Sequence, residues 1–202
     1  MTEPRKDRMR LGAFFHPTGN HVASWLHPEA QIDAGTNFQH YVQLAQMAEA
    51  AKFDLLFLAD SAAVRGGDLN ALQRWPQYMV FFDPFTLLAG IAGLTRHIGL
   101  VATATTSYNE PYTLARRIAS LDWMSGGRCG WNVVTSSNTL EALNYGLAAH
   151  PDHAHRYERA AEFCEVLTGL LDSYEDDAFP RDRATATYFD PSKLHEIGRA
   201  HV

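Results

Sequence analysis

Cysteine is nearly absent: Cys129 and Cys164 are the only two in 202 residues. Two thiols supply neither a disulfide framework nor a cysteine-rich metal site, and a reducing cytoplasm is the simplest home for such a chain. Long apolar runs are missing too. No window approaches the roughly 18 uninterrupted apolar residues of a membrane span. The opening MTEPRKDRMRLGAFFHPTG has no continuous apolar stretch ahead of a cleavage-like site. Positive charge is in short supply, with 17 Lys and Arg against 23 Asp and Glu and a net charge of -6. That balance argues against nucleic acid or an anionic membrane surface as partner. No Gly-x-Gly-x-x-Gly follows the first apolar run, where a dinucleotide fold would place it. Internal repeats and low-complexity tracts are absent as well.

What is present is ordinary for one soluble globular domain, 46% hydrophobic and 20% charged. Strand-like and helix-like stretches take turns. Residues 11–15 (LGAFF) form a short apolar run, and 37–51 carry Phe38, Tyr41, Val42, Ala45 and Ala48 at helical spacing. Residues 54–60 (DLLFLAD) read as a second strand, followed by a polar excursion over 61–77. Residues 84–95 and 111–124 read as helices, each opened by a proline, and 98–106 (IGLVATATT) as the strand between them. CGWNVVTS, starting at Cys129, reads as a fourth strand. Residues 152–174 read as a fourth helix, with Tyr157, Ala160, Ala161, Cys164, Leu167 and Leu171 on one face. Trp25, Trp123 and Trp131 read as packing residues.

Four β-then-α units with apolar strands imply an α/β fold with a parallel sheet, either doubly wound or a (β/α)8 barrel. Composition does not separate the two. Four units are half of eight, however, and a barrel needs about 250 residues. The expectation is therefore a (β/α)8 TIM barrel of which about the first four units are present, with residues 1–195 as the N-terminal half of a single domain. Residues 196–202, EIGRAHV, are what an in-frame translation of a common sequencing adapter yields, and they are expected to be a non-native tail. An ordinary frayed C-terminus is the alternative.

Each strand turns polar at its carboxyl end: His16 after the first, Asp60 and Ser61 after the second, Thr105 and Thr106 after the third, Thr135 and Ser136 after the fourth. Polar turn residues are expected wherever a strand leaves the core. In a parallel barrel, though, ligands sit at that face, so successive polar ends point to a pocket. His150, His153 and His155 lack the Cys or carboxylate spacing of a zinc site, and no metal is expected.

The stretches LGAFFHPTGNHVASW, KFDLLFLAD, TATTSYNEPYTLARRIASLDWMSGGRCGWNVVTSSN and HRYERAAEFCEVLTGLLDSYEDDA closely resemble the bacterial luciferase-like flavin monooxygenases. Within them the resemblance is to the nitrilotriacetate, dibenzothiophene-sulfone and pristinamycin-synthase branch, and it runs over about 10–195. It implies a TIM-barrel enzyme that binds reduced FMN supplied by a separate NAD(P)H:flavin reductase. With O2 as co-substrate, such an enzyme inserts one oxygen atom into a small organic substrate, including xenobiotic and sulfur- or nitrogen-containing ones. A homodimer or higher homo-oligomer is implied at full length.

The same resemblance assigns residues. Asp60 matches the flavin-contacting aspartate; its oxygens can accept from flavin N–H or ribityl hydroxyl groups, while without the resemblance it reads equally as a turn cap. Thr105 and Thr106 lie where a threonine meets the flavin, and which of them points inward stays open. The stretch from Asn132 through Thr135 to Ser136 falls beneath or beside the flavin ring, where Asn132 offers both a donor and an acceptor. His153 and Tyr157, four apart on one helix face, would help the helix N-terminus hold the phosphate or ribityl chain. Tyr157 also reads as the start of the apolar stripe. His16 and His21 fall on the substrate side, where oxygen chemistry wants hydrogen-bond donors and a water-poor pocket. The branch's second phosphate-binding segment would fall beyond His195. Two other readings stay in view. One is an inactive fragment or flavin-binding remnant. The other is a metal-dependent barrel hydrolase, which would want a His-x-His that FFHPTG lacks. The oxidised substrate is not identified by these residues.

Overall fold

The computed structural model describes residues 9–16, 18–75 and 78–198. The first eight residues and 199–202, most of the expected non-native tail, lie outside the described residues. In chain order the elements are β1 (Gly12–Phe15), α1 (Phe38–Ala50), β2 (Leu55–Leu58), α2 (Leu69–Leu72), α3 (Pro84–Ala92) and β3 (Gly99–Thr105). They continue with α4 (Pro111–Ser125), β4 (Cys129–Val134), α5 (Glu141–Asn144) and α6 (His153–Leu171).

The four strands are all parallel and lie in the order β1-β2-β3-β4. A doubly wound sheet reverses its order at a switch point, whereas a barrel adds each strand beside the last. The fold is α/β, a partial barrel. Strand alternation sorts the side chains onto two faces. Leu56, Leu58, Leu100, Ala102 and Ala104 are buried under the helices and share one core with Leu88, Ile91, Leu114, Leu121 and Phe163. The opposite face carries the aligned row Phe14, Phe57 and Val101. Phe14 packs against Phe57, with ring centroids 4.8 Å apart, and yet remains 45% exposed. The barrel's inner face is open.

Local chemistry sets the helix ends. Asn37, Asp83 and Asp152 act as N-caps, each accepting from a backbone N–H three residues on. Pro84 and Pro111 open α3 and α4, and Gly126, at φ 69, lets α4 stop in a left-handed turn. Two buttresses hold the amino-terminal side of the sheet. A single Glu49 carboxylate oxygen accepts from the backbone N–H of Arg96, His97 and Ile98 at 2.7–3.0 Å. The Arg128 guanidinium donates to the carbonyls of Ala92, Thr95, Ile98 and Ser125.

Several boundaries and faces differ from the sequence reading. The strand ladder ends at Leu58 and Val134, before the polar tips of those strands, and at Thr105, the first polar residue of the third; beyond it the backbone turns away, with Ser136 at a φ of 60. The last helix ends at Leu171, not 174, and its face is turned from the expected one. Phe163 and Leu167 are buried and Phe163 meets Trp131, while Ala161 is exposed. Trp123 is 80% exposed and packs nothing, because the buried stripe of α4 runs through Leu114, Ile118, Leu121 and Ser125 and misses it. Among the described residues no helix is long and apolar enough to cross a membrane.

Candidate functional site

A cavity of about 760 Å³ opens at the carboxyl ends of the strands, lined in part by Asp60, Thr105, Thr135, Ser136 and Tyr157. Cavities of this size are typical of cofactor and small-ligand sites. Five of the residues singled out in the sequence thus meet on one surface.

The polar tip of β4 is bound first to its neighbours. Asn132 donates to Thr103 Oγ1 at 3.0 Å, and Ser136 Oγ donates to Thr105 Oγ1 at 2.8 Å. Ser107 Oγ donates to the Thr135 carbonyl at 2.7 Å. From the far side, α6 clamps the same tips. Arg156 donates to the carbonyls of Thr135 and Ser136, and Arg159 to those of Thr106 and Asn109. Asn138 then reaches across to the loop after β2, donating to the carbonyls of Ala63 and Val64 at 3.0 and 3.2 Å. Asn144 does the same to Ala62 at 2.7 Å. The wall is stapled before any ligand arrives.

Thr103 and Thr105, two apart, share the cavity side of β3. Thr106 falls on the other side: it is fully buried, and its hydroxyl lies 3.4 Å from the Val134 carbonyl. His153 does not line the cavity but stacks on Tyr157, centroids 4.5 Å apart, and steadies that ring. Asn132 touches the cavity only through Thr103. His16 sits in an adjoining small cavity that shares Tyr78 with the main one. Burial first, then the nearby Arg65 charge, hold the His16 imidazole below its usual pKa. The His21 Nδ1 accepts from the Ala23 backbone in its own turn, 3.1 Å away, and lines neither cavity. His150 pairs with the Tyr108 hydroxyl, and among the described residues no three His, Cys, Asp or Glu side chains gather as a metal site.

Electrostatics separate this surface from an ordinary strand end. Burial, the Asp83 charge and the Glu141 charge push the Asp60 carboxyl up to about 6, against a partly offsetting hydrogen bond from the Ser61 N–H. Glu141 is the residue that sequence reasoning missed. Its four-residue helix is too short to show a period, yet the side chain is only 4% exposed and lines the cavity. Its Oε1 accepts from Ser61 Oγ at 3.0 Å, and among the described residues no cation pairs with it. Tyr145 lines the same wall, stacked on Tyr108 with planes 3° apart. Burial and then Asp60 and Glu141 raise its hydroxyl pKa.

Strands added in sequence order, with a polar cavity at their carboxyl ends and a carboxyl held near neutrality, define one wall of a parallel α/β barrel. Residues 13–194 match the luciferase-like monooxygenase family, and the chain belongs to it. It is 48% identical over 193 residues to N-acetyl-S-(2-succino)cysteine monooxygenase of Bacillus subtilis, covering 96% of this chain and 42% of that protein. It is 45% identical over 196 residues to nitrilotriacetate monooxygenase component A of Aminobacter aminovorans, covering 94% and 43% respectively. A solved riboflavin lyase, crystallised with a modified FMN and its substrate riboflavin, superposes with a TM-score of 0.84 at 33% identity. That match covers 96% of this chain and 44% of the lyase. The chain thus spans less than half the length of the curated relatives it matches.

Proposed function

We propose that this chain is the N-terminal part of an FMN-dependent monooxygenase, comprising residues 1–195 of a single barrel domain and forming the flavin-facing wall of its active site. The observation that carries the reading is the convergence of Asp60, Thr105, Ser136 and Tyr157 on one cavity at the strands' carboxyl ends. The donor set suits FMN. The Asp60 carboxyl can accept from the N–H edge of the ring or from a ribityl hydroxyl, and the Thr105 and Ser136 hydroxyls, already paired, present a fixed polar edge beside it. Thr135 completes that edge. Tyr157, backed by His153 at the start of α6, suits the ribityl or phosphate end. Thr106 supports this wall from behind. His16, His21 and Asn132 are assigned to the substrate side, with His16 acting next to Tyr78 and Asn132 acting through Thr103.

Reduced FMN, when bound, supplies the electron pair by which one oxygen atom of O2 enters the substrate while the other leaves as water. The chain's own residues orient the ring, keep Asp60 able to hold or release a proton near neutrality, and line a cavity from which substrate and flavin together exclude water. The reduced flavin comes from a separate NAD(P)H:flavin reductase, in the cytoplasm, where both thiols stay reduced. The name component A of the Aminobacter relative supports a multi-component system. The substrate class is a small organic molecule bearing sulfur or nitrogen, in line with the names of the two relatives. At full length a homodimer or higher homo-oligomer is expected.

The test is fluorescence titration with FMN of this chain and of a polypeptide extended to the relatives' length. The extended protein should bind FMN and this chain only weakly, and Asp60→Ala in the extended protein should raise Kd about tenfold without unfolding it. Equal affinity in mutant and parent removes Asp60 from the site. No binding by the extended protein removes the flavin reading.

A further inference from the structure

The cavity is charged unevenly. Asp60 and Glu141 both line it, with Asp83 close enough to act on Asp60, and Arg65 is the one Lys or Arg among the described lining residues. Arg65 lies toward His16 and Tyr78. It lowers the His16 pKa, and its guanidinium sits 5.4 Å from the centre of the Tyr78 ring. Among the described residues it forms no ion pair and no hydrogen bond, so the cavity's carboxylates do not neutralise it. A cation over a ring uses no N–H donor, so the exposed guanidinium keeps its five N–H groups free for a ligand. The backbone that carries Arg65 is pinned on its amino-terminal side. Ser61 Oγ and Asn138 hold the Ala63 carbonyl, Asn138 holds Val64, and Asn144 holds Ala62. On the other side, a Cβ on Gly66 would come within 3.1 Å of Leu140, so the loop lies close against the segment before α5.

We infer that Arg65 is a substrate subsite that takes the carboxylate of an organic acid, with Asp60 and Glu141 left to the flavin. A planar fork with free edge donors, held on a pinned loop, matches a carboxylate in bidentate fashion and is pre-organised to do so. The acid's charge would be repelled by Asp60 and Glu141 and attracted to Arg65, which favours a pose with the carboxylate on the arginine. The word substrate rests on the monooxygenase reading; the binding of a carboxylate at Arg65 does not.

The experiment uses the whole 202-residue chain, labelled with nitrogen-15, with succinate as probe and succinamide as its uncharged counterpart. Succinate should shift the Arg65 Nε–H resonance saturably, and succinamide should leave it unmoved. Arg65→Met should raise the succinate Kd roughly tenfold or more, and Arg65→Lys, which keeps the charge and loses the fork, should fall between. Both variants should keep the amide spectrum of the folded parent outside the neighbourhood of Tyr78 and His16, since among the described residues the side chain makes no hydrogen bond or ion pair. Two results overturn the subsite: an unchanged succinate Kd in Arg65→Met, or inorganic phosphate displacing succinate at lower concentration than succinate binds, which would assign the arginine to the flavin phosphate. An FMN titration run alongside separates the two readings. FMN binding together with an Arg65 signal that succinate leaves unmoved sinks the subsite alone, whereas succinate binding at Arg65 in a flavin-blind extended protein sinks the monooxygenase reading and leaves the subsite standing.

Discussion

Asp60→Asn should make the protein more stable at neutral pH. The parent carries a carboxyl pushed from 3.8 up to about 6 by burial, Asp83 and Glu141. The folded state therefore binds this proton more tightly than the unfolded state does. Below about pH 4 both states are protonated and the group costs nothing. As pH rises from about 4 to about 6 the unfolded chain ionises first and stability is lost, and above about pH 6 the loss is complete. At about 1.4 kcal/mol per pH unit, that interval amounts to about 3 kcal/mol, and partial contact with the open cavity trims it to about 2 kcal/mol. Asparagine keeps the shape and removes the charge. Urea unfolding followed by tryptophan fluorescence should show Asp60→Asn about 2 kcal/mol more stable than the parent at about pH 7.5, with the gap closing by about pH 4. A variant equal to or weaker than the parent at about pH 7.5, or a gap that does not shrink on acidification, refutes the reasoning. A charge that costs stability where it stands is the pattern of a site kept for function.

Glu49→Gln should cost about 1–3 kcal/mol, because three backbone N–H groups lose a charged acceptor. Burial opposes the Glu49 charge, but those three bonds outweigh it and hold its pKa below the ordinary value. The stability it adds is thus present above the unfolded glutamate pKa and disappears as pH falls through the lower folded value, so acid titration of parent and variant should converge at low pH. The chain should also self-associate. Phe14 and Val133 are each 45% exposed, and among the described residues no strand pairs with the outer edges of β1 and β4. Size-exclusion chromatography over a concentration series should show growing species, and a monomer at every concentration would contradict this.

The βα order was legible because apolar runs of strand length alternate with proline- and aspartate-opened helices, and these signals are local. The cavity residues were legible only as far as parity allowed. Leu100, Ala102 and Ala104 all face the helices, so Thr106, in step with them, could have been placed outside and Thr105 inside from alternation alone. The stripe of α6 misled because alanine and cysteine fit either face, and the choice was made by Phe163 meeting Trp131 in the core between helix and sheet. Glu141 and Arg65 were not legible. One sits in a helix too short to have a face and the other in a polar excursion, and each owes its place to asparagines more than seventy residues away from the loop they hold.

The stretch GWNVVTSSN carries much polarity for a strand and the turn after it, and its hydrogen bonds account for that polarity. Little of that polarity is offered to the cavity. Asn132 is spent on Thr103, Ser136 on Thr105, and Asn138 on the loop that presents Arg65, while the carbonyls of Thr135 and Ser136 are taken by Arg156. A strand tip whose polar groups are committed to one another cannot reorganise when a ligand arrives, so its remaining edges present dipoles already in place. The groups left without a neutralising partner are then few, and they are the charged ones. Asp60, Glu141 and Arg65 all line the cavity, and among the described residues no ion pair joins the arginine to either carboxylate, because a stapled wall can hold charges apart that a mobile one would let collapse together.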